Sequence, residues 1–282
     1  MVGLRSFGGR GISVARLSGL LIGAGLMLPG GVSAELNDTG MTEYANETGH
    51  GVRIKPAGHP GQDARYGRDA QAVAGKLKKA GAGSKGFDFT KLDADGKPLP
   101  ANAKKWDCVR DNVTGLTWEV KTTDGGLRDW RNHFSWYNPD KSTNGGGPGE
   151  RNGGKCTGGI ECDTLSYARA VNATKLCGHS DWRLPERWEL RSLVDYGKSV
   201  NSGRHMREQF LENDTDMPTI DTDYFPHTGV KWYWSATPDV ANPDYAWRVF
   251  FYDGGDSNAI KGSVNGGSSP VNVHVRLVRG ER

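Results

Sequence analysis

The chain has 282 residues with 36 Lys+Arg against 33 Asp+Glu, a net charge of +3. The three surplus charges are Arg5, Arg10 and Arg16, all within residues 1–34, so the remainder is neutral (33 − 33 = 0). A neutral chain lacks the positive field of a sequence-independent nucleic-acid binder. No segment stays apolar over the roughly 20 residues of a membrane span. Residues 1–34 have the make-up of a signal peptide, with an acid-free basic start, a short apolar run from Leu17 to Leu28 and a break at Pro29-Gly30-Gly31. Val32-Ser33-Ala34 then supplies small residues for cleavage before Glu35. The expectation is an exported soluble protein, in the periplasm, at the cell surface or outside.

Residues 35–86 are rich in Gly, Asp and Lys without a sustained period, which predicts a flexible arm, most plainly over Lys76–Lys85. Gly81-x-Gly83-x-x-Gly86 matches a dinucleotide fingerprint, but no strand precedes it and no helix follows, so the match is accidental. Asp93-Ala94-Asp95-Gly96 hints at a calcium loop. An EF-hand register would put Lys91 first and Asn102 twelfth, which rejects it.

Residues 87–282 have the pattern of one domain. Leu116 to Val120 alternates as a strand after the turn residues Asp111-Asn112, and Gly145 to Gly159 is a long Gly-rich loop. Asp163 caps a helix predicted through Leu176, with Gly178 as its stop; a second helix is predicted to start at Pro185 and to bury Leu190, Leu193 and Val194. The period then switches to 2, predicting strands at Lys231–Thr237, Tyr245–Tyr252 and Val271–Arg279. Helices followed by antiparallel strands make an α+β layout. Cys108, Cys156, Cys162 and Cys177 are an even set in an exported chain, where thiols oxidise. Of three pairings, Cys156–Cys162 closes a small Gly-rich loop and is favoured, leaving Cys108–Cys177; Cys-x5-Cys without a matching His or Cys pair is poor zinc spacing.

A series of motifs carries a resemblance. Val109-Arg110-Asp111-Asn112-Val113-Thr114-Gly115-Leu116-Thr117-Trp118 opens it, and Leu176-Cys177-Gly178-His179-Ser180-Asp181-Trp182-Arg183-Leu184-Pro185 follows with Glu189-Leu190 one turn on. Ile220-Asp221, Tyr224-Phe225-Pro226, Tyr233-Trp234-Ser235-Ala236-Thr237, Ala246-Trp247-Arg248-Val249 and Val275-Arg276-Leu277-Val278-Arg279 complete it. In order and spacing, Cys108 to Arg279 resembles the C-terminal domain family of bacterial collagen-like adhesins (Lcl), although no Gly-X-Y repeat precedes it. The resemblance implies a C-type-lectin-like fold with a mainly antiparallel twisted sheet. It also implies surface adhesion, with sulfated glycosaminoglycans as ligands of the adhesin itself. Lectin-like relatives include the variable display proteins of diversity-generating retroelements and the formylglycine-generating enzyme.

Trp182-Arg183-Leu184-Pro185 suits a packed corner, with Arg183 donating to backbone carbonyls or to Glu189, so Trp182, Arg183, Pro185 and Glu189 are assigned structural roles. Trp234 and Trp247 are assigned to the core; Tyr252, at a strand end, is the aromatic ligand candidate. Asp253-Gly254-Gly255-Asp256-Ser257-Asn258 turns the chain and offers oxygens to sugar hydroxyls or to Ca²⁺, the one cofactor considered. With Lys261 and Asn265 these residues are expected to form a single ligand surface on a long loop. No His-Glu-x-x-His, Gly-x-Ser-x-Gly or Walker loop occurs, and no cysteine follows Cys177 to match the formylglycine-generating enzyme, so no enzyme is expected. The expected partner is an extracellular glycan or protein, with homo-oligomerisation left open. An envelope or appendage subunit and a variable display protein are the alternatives.

Overall fold

Two four-stranded sheets, each assembled from strands distant in the chain, organise the core of this computed structural model. It describes residues 37–46, 49–52, 58–201, 217–262 and 272–281, with backbone alone for 49–52 and 199–201. The signal-peptide expectation therefore lies outside the described residues. In chain order the first elements are β1 (Tyr44–Asn46), β2 (Gly49–Val52), α1 (Asp63–Tyr66), α2 (Arg68–Val73), β3 (Phe89–Leu92), β4 (Cys108–Asp111) and β5 (Thr117–Glu119). Then come α3 (Thr164–Ala173), α4 (Arg187–Arg191), α5 (Tyr196–Asn201), β6 (Trp232–Pro238), β7 (Tyr245–Phe250), β8 (Asp256–Ile260), β9 (Val273–His274) and β10 (Val278–Arg279). No helix among the described residues is long and apolar enough to cross a membrane.

One sheet has the order β10-β5-β4-β3 and is antiparallel throughout; the other has the order β8-β7-β6-β9, antiparallel except for the parallel β6–β9 pair. The architecture is thus α+β. One apolar cluster joins Phe89, Trp118, Leu190, Phe225, Tyr233 and Val249, and a second joins Phe134, Trp136, Tyr167, Trp182, Trp234 and Leu277. Two deep indoles satisfy their N–H on backbone: Trp136 donates to Ser235 O at 2.9 Å and Trp234 to Phe134 O at 2.8 Å. The disulfides are Cys108–Cys177 and Cys156–Cys162, the favoured pairing. The long separation of the first bond ties β4 to the turn after α3.

The helices form where expected, but shorter. Asp163 caps α3 by accepting from Ser166 N at 2.8 Å, yet the helix stops at Ala173 because Lys175 turns left-handed before a 3-10 turn at Leu176–Gly178. Pro185 is not the first residue of α4. Glu186 is the N-cap, and Glu186 and Glu189 form a reciprocal capping box. Proline therefore ends the preceding extended segment, where its missing N–H costs nothing.

Glu189 also explains Arg183. The guanidinium grips the buried Glu189 carboxylate with both ends, Nη1 and Nη2 each at 2.7 Å, and Nη2 reaches Gly280 O at 3.3 Å. Arg183 and Val278 exchange backbone hydrogen bonds at 2.9 Å, so the corner joins α4 to β10. Arg183→Ala would leave the buried Glu189 carboxyl without the fork that satisfies both of its oxygens. Urea unfolding is expected to show a loss of about 3–5 kcal/mol; an unchanged midpoint would refute the scaffolding role.

A buried charged network lies under β5. Glu119, Lys121 and Arg276 are almost wholly inaccessible. Glu119 Oε1 accepts from Lys121 Nζ at 3.0 Å and from the Tyr167 hydroxyl, and Oε2 accepts from Leu277 N at 2.9 Å. Arg276 donates to Glu119 O at 2.6 Å and to Thr228 Oγ1 at 2.7 Å. Burial drives the Lys121 ammonium and the Arg276 guanidinium down and the Tyr167 phenol up.

The arm expected over residues 35–86 is a correction. Its described parts form β1, β2, α1 and α2 and bind the domain. Asn37 Nδ2 donates to Asp111 Oδ2 at 2.9 Å, Lys85 pairs with Asp195 at 2.9 Å, and Ser84 N donates to Asp221 Oδ2 at 2.8 Å. Asp38 and Asp69 are buried there; burial, and then the Asp69 charge, push the Asp38 carboxyl up to about 7. Elements of three to six residues are too short to show a period, so composition alone suggested an arm.

Candidate ligand-binding surface

Asp253 and the glycines after it turn the chain, as expected, but the long loop expected beyond them is strand as far as Ile260, and its residues 263–271 lie outside the described residues. β8 pairs antiparallel with β7, with Val249 opposite Asp256, Arg248 opposite Ser257 and Trp247 opposite Asn258. Gly254 N donates to Phe250 O and Phe250 N to Gly255 O, both at 2.8 Å, and Asp253 Oδ1 accepts from Gly255 N at 2.8 Å. Gly254 has φ +80, and a Cβ there would lie 2.4 Å from Val194 Cγ1, so this turn residue must be glycine. Asp253 is thus a turn former.

Alternation along the two strands divides the expected ligand set between faces. Asp256, Asn258 and Trp247 share the face covered by α4. Asp256 is ion-paired with Arg187 and lies 3.7 Å from Arg191 Nη1, while the Arg187 guanidinium sits 3.7 Å from the Trp247 ring centre. Trp247 is therefore a half-buried platform for Arg187 rather than a core residue. Asn258 Nδ2 donates to Asp239 Oδ2 at 2.5 Å, a bond that holds the Asp239 carboxyl below its usual range. On this face Asp256 Oδ2 is taken by Arg187 and Arg191, and the Asn258 amide is engaged with Asp239. Among the described residues, the acids that do cluster closely enough for a metal are elsewhere.

Lys261 is a further correction. It is 1% exposed, and its Nζ donates to Asn144 O and Gly147 O at 2.7 Å and to Pro243 O at 2.6 Å. Three carbonyls from two loops saturate the ammonium, so Lys261 staples the Gly-rich loop and cannot meet a ligand. Asn265 lies outside the described residues.

The opposite face of β7 carries what the sequence reading missed. Trp232 stands opposite Phe250 in the register, and their rings stack at 4.6 Å and 10°. Tyr252 continues the stack on Phe250 at 5.6 Å and 29°. At the other end, the Arg248 guanidinium lies 4.1 Å from the Trp232 ring centre. All four side chains are half-buried. Arg248 makes no ion pair or side-chain hydrogen bond among the described residues, and its buried Nε has no partner. Burial alone pulls its guanidinium down to about 10. A partly desolvated cation on an aromatic ladder, without a counter-ion among the described residues, is a ready partner for an anionic group. The i, i+2, i+4 spacing of Arg248, Phe250 and Tyr252 was visible in the sequence; the place of Trp232 opposite Phe250 was not.

Two sheets, short helices, two disulfides and a half-buried arginine–aromatic ladder define a disulfide-tied α+β domain. The family model described as the Lcl C-terminal domain matches residues 107–279. This chain belongs to that family, and the adhesin connection of the family points to a surface-located adhesion role. No curated protein and no solved structure matches the chain significantly.

Proposed function

We propose that this protein is an exported, non-enzymatic adhesion module with a C-type-lectin-like domain that captures anionic glycans on the Tyr252–Phe250–Trp232–Arg248 ladder. The observation that carries this reading is Arg248, a half-buried guanidinium on an indole with no acidic partner among the described residues. A sulfate or uronate would supply the missing charge-assisted hydrogen bonds, while the apolar face of a sugar ring stacks on Tyr252, the outer ring of the ladder. The leader-like residues 1–34 and the fully paired cysteines support export. Family membership supports adhesion.

A glycan array with sulfated, uronate-bearing and neutral sugars tests it. Sulfated or uronate glycans are expected to be retained. Arg248→Gln and Tyr252→Ala are each expected to weaken binding by about 10–100-fold while changing stability by no more than about 1 kcal/mol. Capture of neutral sugars alone, or undiminished binding by both variants, would overturn the ladder. Binding to protein partners and to no glycan would favour the appendage-subunit or display-protein reading instead.

A further inference from the structure

Outside the family-matched region, three carboxylates converge. Asp38 precedes β1, Asp63 opens α1 and Asp69 lies in the first turn of α2; one oxygen from each is within 4.8 Å of the others. Asp38 and Asp69 are buried and Asp63 is half-buried. Among the described residues no lysine, arginine or histidine forms an ion pair with any of them. Backbone and hydroxyl donors cover part of the cluster. Asp38 accepts from Thr39 N at 2.9 Å and from Asp69 N, Asp63 accepts from the Thr39 hydroxyl, and Asp69 Oδ1 accepts from Gly86 N at 2.6 Å.

The second oxygen of Asp69 is different. Asp69 is 0% exposed, and its Oδ2 is buried without any hydrogen-bond partner. An orphan carboxylate oxygen is costly in the interior, and two neighbouring carboxylates increase the cost by repulsion. A cation removes both penalties at once. The cluster packs directly against the glycine between the helices: a Cβ on Gly67 would lie 2.4 Å from Asp63 Oδ1 and 3.0 Å from Asp38 Oδ1, so only glycine lets the carboxylates converge there. Hard oxygen donors at irregular spacing suit Ca²⁺, which tolerates flexible coordination and completes its shell with water.

We propose that Asp38, Asp63 and Asp69 bind a Ca²⁺ ion, with the unpartnered Asp69 oxygen as a ligand, and that the ion fastens the N-terminal segment to the domain. The fastening follows from the connections of the ligands. Asp38 sits beside Asn37, which bonds Asp111 of β4, and Asp69 holds the backbone just before Phe87 and β3. The site is independent of the glycan ladder.

Isothermal titration of the purified protein with CaCl₂, after EDTA and dialysis, tests it directly. Saturable binding at a single site is expected, with a higher Tm that EDTA reverses. Asp69→Asn and Asp63→Asn are each expected to bind at least about tenfold more weakly, since ligand charge sets calcium affinity. Asp93→Asn, at a half-buried turn residue outside the cluster, is expected to bind as the parent does. Asp63 is half-exposed, so its variant remains informative should Asp69→Asn fail to fold. No calcium heat from the parent protein, or calcium binding undiminished in the folded variants, would overturn the site. A Tm that follows pH but ignores Ca²⁺ would equally overturn it, showing a shared proton between the carboxyls instead.

Discussion

Glu119→Ala is expected to destabilise the domain by about 3–5 kcal/mol, the cost of stranding a buried charge. Three donors converge on the Glu119 carboxylate, from Lys121, Tyr167 and Leu277, and all three are buried with it. Removing the acceptor leaves an ammonium 1% exposed at its side chain, with the Tyr167 hydroxyl as its remaining hydrogen-bond partner among the described residues. Lys121 would have to lose its proton or draw water inside. Arg276 would stay close by, held through Glu119 O, so both buried cations lose the Glu119 charge that offsets their burial. Urea unfolding of the single variant against Glu119→Leu with Lys121→Met separates charge stranding from lost packing. The double variant should recover much of the loss, because removing both partners spares the uncompensated charge. Equal losses in single and double variants would assign the effect to packing. A loss under about 1 kcal/mol, the level of an exposed pair, would show that water reaches the network.

Replacing Cys108 and Cys177 together by alanine is expected to cost about 4 kcal/mol on the chain-entropy model, because the bond closes a sequence separation of 69. Cys156–Cys162 has a separation of 6 and the same model gives it about 2 kcal/mol. Both half-cystines of the long bond are fully buried, one in β4 and the other in the turn following α3. Alanine pairs therefore also lose sulfur packing, which pushes the measured value upward. Non-reducing peptide mapping should recover the two native pairs, and denaturant unfolding should rank the long-bond variant as the weaker. The reverse ranking would mean that the unfolded chain is already constrained near the long bond.

The two surfaces that matter for function differ in how far the chain announces them. Tyr252 was a candidate from its place at a strand end, and it does join the ladder. Arg248 was not, because an arginine in an alternating strand looks like an ordinary solvated residue until its place on the Trp232 ring is known. The Asp38, Asp63 and Asp69 cluster had no sequence signature. Its members are 25 and 6 positions apart (63 − 38 and 69 − 63), and no metal motif spans them.

Local patterns in the chain determined what depends on neighbouring residues. Period-2 alternation located β5, β6 and β7, and Asp163 announced the start of α3 through its cap. The Cys spacing in its Gly-rich loop anticipated both disulfides, and the Arg183–Glu189 corner followed from a fork-shaped donor placed before a helix. Tertiary structure alone decided what depends on register and on contacts between distant segments. It took Lys261 out of the solvent because carbonyls from residues 144, 147 and 243 converge there. It placed Trp232 over Phe250 and moved Asp256 to the opposite face, under Arg187. It also folded residues that composition marked as an arm onto the sheet through Asn37, Ser84 and Lys85. The physical reason is the same in each case: periodicity records which face of an element is buried, whereas burial of a charge depends on partners brought by another part of the chain.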